Sequence, residues 1–348
     1  MRALVVAAIG LVVACKKPPD PANTGCHLAA SPDRSAFVFA LDHEIVLLRS
    51  GERRAVQFKQ SACLANGQDI DLIVVSSDGW RAYVVGARPD SVGGFERAQW
   101  TTTVACDVDF RSGTAKPLDS EFLAALGLNE DVVNRGARLG SVSNRIYTWK
   151  ISGGIDVFDP ATKRLASITD SSSLWSAYRC ELGEDSREAV LLCDTWMRRG
   201  KDDRVTLLLA RVSLAPWPPA ITVTEIAAPS QPTSGALSPD GSALAVWRNG
   251  PDGYLRIHDL LDTADFVVPE RGGQVVNAVA FDRELVYVAV SIATESHTEW
   301  VRILDRSGGE RGRVAIRKAP RALYAAGSQI VVDSGCTMER VEVPMWSR

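Results

Sequence analysis

The chain has 348 residues and a mass of 37.6 kDa, enough for one large all-β domain or two smaller domains with a sizeable core. Hydrophobic residues make up 46% and charged residues 23%, which excludes a disordered chain and a polytopic membrane protein. The net charge of −3 gives no basic excess for nucleic acid, and the four histidines stand too far apart for metal-ligand spacing.

Met1-Arg2 opens the chain and an apolar run follows from Ala3 to Ala14. This is a secretory-signal pattern, too short to cross a bilayer, which takes about 20 residues. The run ends Val12-Val13-Ala14-Cys15, which resembles the lipobox of bacterial lipoproteins. The resemblance implies cleavage before Cys15, so that 1–14 is the signal peptide, and acyl chains such as palmitate on the mature N-terminus. Each buried CH2 contributes about 0.8 kcal/mol, so several chains give a stable membrane anchor. Lys16 stands where an Asp would retain an enteric lipoprotein at the inner membrane, so the expected site is the outer membrane, facing periplasm or cell surface. Residues 15–25, with three prolines, read as the lipidated cysteine and a flexible tether, and 26–348 as the folded domain.

Cys15 accounts for one of seven cysteines. The other six, Cys26, Cys63, Cys106, Cys180, Cys193 and Cys336, are an even number in an exported chain, which predicts three disulfides. Six cysteines allow 15 connectivities. There is no CxxC, so neither a redox motif nor a zinc ribbon is supported.

Past the tether, short β-rich runs alternate with turn residues. One phrase recurs. Ala236-Leu237-Ser238-Pro239-Asp240-Gly241-Ser242-Ala243-Leu244-Ala245-Val246-Trp247 is its best copy, with others at 29–39 and 74–85 and weaker echoes at 140–149 and 279–288. Pro presets the first turn position, Asp caps the backbone and Gly takes a positive φ. Strand, Ser-Pro-Asp-Gly turn, strand, turn, strand resembles a blade of the TolB-like and WD40-like β-propellers with PD40 repeats. The resemblance implies an all-β fold, a single β-propeller, with units at 26–60, 68–118, 137–169, 174–227, 233–269, 275–317 and 321–343. That is seven blades, though six or eight fit the weaker copies, and an irregular sandwich is the alternative fold. The last unit has room for three strands only.

Alternating strand direction puts the start of the first strand and the second-to-third connection of a blade at one end. Cys26 and Cys336 fall there, so a Cys26–Cys336 disulfide is expected to join the chain ends. Closing so long a loop contributes about 4 kcal/mol in the chain-entropy model. Cys63 with Cys106 and Cys180 with Cys193 are then left by proximity. The strand register read from the sequence sets the latter two a few residues out of opposition.

Insertions at 86–99, 194–203 and 291–298 extend second-to-third connections. A fourth, 118–136, lies between blades and carries a helix start at Asp119-Ser120-Glu121. Trp100, Trp196 and Trp300 sit near the hairpin bases with Arg97, Arg198 and Arg199, and Trp with Arg is the composition of interface hot spots. The plain alternative is that these tryptophans pack blade on blade and the arginines are solvated.

No GxSxG elbow, DxDxDG calcium loop, Walker loop or GxGxxG stands in the sequence, and no cofactor or metal is expected. Asp107, Asp109, Asp156 and Asp159 lie near strand ends, where turn capping is the commoner role. The expected function is a membrane-anchored, non-catalytic binding or assembly module for an envelope protein or polysaccharide, with no nucleic-acid partner. The alternative is a carbohydrate-active propeller enzyme with channel carboxylates.

Overall fold

The computed structural model describes residues 28–31, 35–41, 44–49, 56–59, 69–89, 100–118, 136–149, 154–168, 175–199, 202–226, 234–250, 252–262, 264–268, 274–292, 299–326, 328–334 and 338–344. The expected signal peptide and tether, Cys15, Cys26, Cys63, Arg97, Cys336 and the expected helix after Asp119 lie outside them. Every regular element described is a strand.

Residues 27–242 form one compact unit and 243–348 belong to a second. Four complete sheets lie in the first: β1–β4 (Leu28–Ala30, Ala36–Leu41, Glu44–Arg49, Val56–Lys59), β5–β8 (Asp69–Val75, Arg81–Pro89, Trp100–Asp109, Thr114–Pro117), β9–β12 (Gly136–Leu139, Ile146–Trp149, Ile155–Asp159, Arg164–Ile168) and β13–β16 (Trp175–Glu184, Glu188–Arg199, Asp202–Ser213, Ile221–Glu225). A fifth sheet follows, β17–β20 (Ser234–Leu237, Ala243–Arg248, Tyr254–Asp259, Asp265–Val268), then β21–β24 (Gln274–Phe281, Leu285–Ile292, Glu299–Asp305, Glu310–Ile316) and β25–β27 (Ala322–Ala326, Gln329–Asp333, Met338–Glu342). Each sheet is an antiparallel meander in chain order, and together they are the seven blades of a β-propeller, the last with three strands. Each blade lies within two residues of its expected bounds.

The recurring phrase makes the turns its residues predict. Asp240 accepts from the Ser238 hydroxyl at 2.6 Å and the Ser242 N–H at 3.1 Å, while Gly241 takes φ +70. Asp78 does the same with Ser76 and Trp80, and Gly79 takes φ +66. L side chains rarely adopt that φ and glycine does so without cost, which is why Gly closes both turns.

Burial falls from the second strand outward: β18 is buried from Ala243 to Trp247, whereas β8, β12 and β16 are mostly exposed or half-buried. Neighbouring blades interlock through the apolar side chains this leaves inside. In the first unit, Val38 and Leu47 pack with Ile73, Val84 and Val108, and Tyr147, Trp149 and Val157 pack with Leu191, Leu208 and Val212. In the second, Tyr287, Val301 and Ile303 pack with Leu323, Ile330 and Val332. Each such fully buried side chain contributes about 1.5–3 kcal/mol.

Cys180 and Cys193 are bonded to each other and fully buried. They stand directly opposite in the β13–β14 ladder, which corrects the offset register expected from the sequence. The turn is the cause: Asp185 caps the N–H groups of Arg187 and Glu188, fixing Glu184 opposite Ala189, and pairing is regular from there to Cys180. The bulge that shifts this ladder lies beyond, between Ala177 and Arg179. Cys106 is also in a disulfide.

Candidate interaction surfaces

The connection between second and third strands is elaborated in three blades. β14 and β15 are 12 residues each and pair without a break from Glu188↔Ser213 to Arg199↔Asp202. The segment 194–203, expected as a loop insertion, is therefore mostly a strand-built arm. β13 follows β14 as far as Met197, whereas β16 pairs with β15 only from Leu208. In blade two, β7 has 10 residues and β8 pairs with it only from Cys106, so Trp100 to Val104 run past the fourth strand among the described residues. In blade six, Ser291 and Ile292 extend β22.

The candidate side chains fall on these arms. Trp196 stands opposite Ser176 and Val205, Arg198 opposite Asp203 and Arg199 opposite Asp202. Trp100 begins β7 opposite Pro89. Trp300 lies in the second unit, half-buried, opposite Val290 and Ala315.

The opposite end of the sheets, where first strands turn into second strands, is close-packed through blades two to five of the first unit. Ser77 donates to Asn144 Oδ1 at 2.6 Å, joining the turns of blades two and three. Glu184, 3% exposed at the end of β13, reaches the turn of blade three. Its carboxylate accepts from the N–H groups of Val142 (2.7 Å) and Ser143 (3.0 Å), the Ser143 hydroxyl (2.5 Å) and the Tyr147 hydroxyl (3.0 Å). Burial, then the charge of Glu184, pushes the Tyr147 phenol up, so it donates at every physiological pH. The Glu184 N–H donates to the Pro239 carbonyl at 2.9 Å. Gly183 lies so close to the fifth turn that a Cβ would collide with the Ser238 carbonyl and the Gly241 backbone.

The four carboxylates singled out in the sequence do not converge. Asp107 pairs with Arg81; Asp109 caps Arg111 and Ser112; Asp159 caps Ala161 and Thr162; Asp156 is buried opposite Thr148. All four lie on third strands, Asp109 and Asp159 as caps and Asp107 in an ion pair. Among the described residues, no group of three His, Cys, Asp or Glu is placed to hold a metal ion.

Two aromatic platforms were not singled out by sequence reasoning. The Trp80 ring has the Arg49 guanidinium 4.1 Å and the Arg111 guanidinium 5.1 Å from its centroid. Trp217 has Arg145 at 5.1 Å and Arg164 at 5.2 Å. The only sequence signal was position: Trp80 follows a turn glycine, and Trp217 sits in Ala215-Pro216-Trp217-Pro218-Pro219, between the third and fourth strands. The arginines come from elsewhere in the chain.

No family model matches the chain, and no curated protein resembles it in sequence. Solved structures do. The WD40 repeats of RRP9 align at a TM-score of 0.55 and 12% identity, over 92% of this chain and 94% of that one. A chain of the mitotic checkpoint complex aligns at 0.55 and 11%, over 99% and 97%. An oligogalacturonate lyase from Vibrio parahaemolyticus aligns at 0.52 and 9%, over 79% and 80%. At such identities the likeness is one of fold: a WD40-like β-propeller.

Proposed function

We propose that this chain is an exported, lipid-anchored β-propeller of the bacterial envelope, a non-catalytic module that binds an envelope protein or polymer through its second-to-third-strand hairpins. The β14–β15 arm carries this reading. It spends 12 residues per strand where its own fourth strand has 5, and it bears Trp196, Arg198 and Arg199. Aromatic and Arg anchors dominate interface energetics. The Cys180–Cys193 disulfide supports an oxidising compartment. The lipobox-like Val12-Val13-Ala14-Cys15 supports the anchor, and a Cys26–Cys336 bridge would tie the chain ends.

Membrane crosslinking from position 196, followed by recovery of the adduct, tests the reading. Replacing Trp196 and Arg198 together by Ala should weaken partner recovery about thirtyfold with an unchanged melting curve, the effect of a central hot spot. Cys15→Ser should abolish palmitate labelling and membrane partitioning. Undiminished recovery by the double variant, or turnover of a glycan panel by the purified chain, would overturn the proposal.

A further inference from the structure

The turn end of blades two to four carries two basic aromatic platforms on one continuous surface. Trp80 with Arg111 belongs to blade two, and Trp217 of blade four holds Arg145 and Arg164 of blade three. The surface is continuous because the turns bond to one another, through Ser77 and Asn144 and then through Val142, Ser143 and Glu184. The Arg187 carbonyl accepts from the Leu214 N–H at 2.9 Å, which ties the turn of Arg187 to the same connection. Arg145 donates to the Leu214 carbonyl at 2.8 Å.

This charge is balanced only in part: Arg145 lies 4.0 Å from Asp159, and Arg111 acts on Asp78. Arg111, Arg164 and Arg187 are exposed, and no described residue accepts a hydrogen bond from their guanidinium groups. The neighbouring acids cap backbone N–H groups, Asp109 those of Arg111 and Ser112, Asp159 those of Ala161 and Thr162, and Asp185 those of Arg187 and Glu188, with Asp159 also facing Arg145. A guanidinium lying against an indole keeps its in-plane N–H donors, and its position is fixed before any ligand arrives. That is a pre-ordered fork for a carboxylate.

We infer that this turn end binds an acidic polysaccharide whose repeat unit bears a carboxylate. The repetition selects a polymer: two platforms of the same composition, on one surface and two blades apart, match a ligand whose charge recurs along its length. The inference rests on the turn end alone and holds whether or not the hairpin arms bind a partner.

The test uses the full chain in detergent, titrated with alginate, a polyuronate. Dextran serves as the neutral polymer, poly-glutamate as the acidic peptide and phosphatidylglycerol vesicles as the anionic membrane. Alginate should bind and dextran should not, and affinity should fall steeply with added salt. Arg111→Gln and Arg164→Gln should each weaken binding about tenfold, the value of one charge-assisted contact, and more when combined. The melting curve should not move, and Trp196→Ala should leave alginate binding intact. No alginate binding would overturn the inference, as would undiminished binding by the double variant, tighter binding to poly-glutamate or vesicles, or an equal loss with Trp196→Ala.

Discussion

At the turn end of residues 27–242, neighbouring backbones approach so closely that a Cβ at Gly79 would stand 2.6 Å from the Ala36 Cβ, and Gly140 and Gly183 meet similar obstruction. At the hairpin end of the same unit, the second and third strands of blade four run on past their fourth strand. The first end is held by bonds between blades, the second by bonds within a blade. Changes to the buried contacts of the turn end should therefore disturb the fold, and changes at the hairpin end should disturb only what the arms touch.

The largest expected effect is at Gly183. Gly183→Ala drives a methyl into the Ser238 carbonyl and Gly241 backbone, and urea unfolding should show a loss of about 4 kcal/mol. Two residues inserted after Gly200, in the β14–β15 connection, should change stability by less than about 0.5 kcal/mol. Equal losses at both sites would erase the distinction.

The disulfide tests a position between the two ends. Replacing Cys180 and Cys193 together by Ala should cost about 3 kcal/mol for a loop of this length in the chain-entropy model, measured by the same unfolding. Glu184→Gln should be smaller, about 2 kcal/mol, because the amide keeps one acceptor but turns a donor toward the donors of blade three. If Glu184→Gln proves neutral, the bonds between blades contribute less than the packing beneath them.

The sheets were legible in the sequence because their signal is local. Ser-Pro-Asp-Gly places a turn, alternation places the flanking strands, and both operate within a dozen residues. What the sequence concealed depends on distant partners. Glu184 meets Ser143 and Tyr147 from 41 and 37 residues away, and nothing around Glu184 announces that its carboxylate will be buried. Trp80 and Trp217 became platforms only when arginines of other strands came to lie against them. The misread register of Cys180 and Cys193 was a matter of one turn: the position of the Asp185 cap decides which residues stand opposite along the ladder. The 194–203 segment looked like a loop because strand and loop share charged residues, and only pairing tells them apart.

The third turn, Gly140 to Arg145, has no aspartate of its own, and its sequence reads as a worn copy of the repeat. Glu184 of the fourth blade supplies the missing carboxylate. The two blades are consequently no longer interchangeable units. A duplicated or transplanted third blade would arrive without its acid, and a fourth blade placed beside a turn with an aspartate would bring a second one. What appears as erosion of a repeat is thus a record of adjacency, written in two different strands, that fixes which blade follows which.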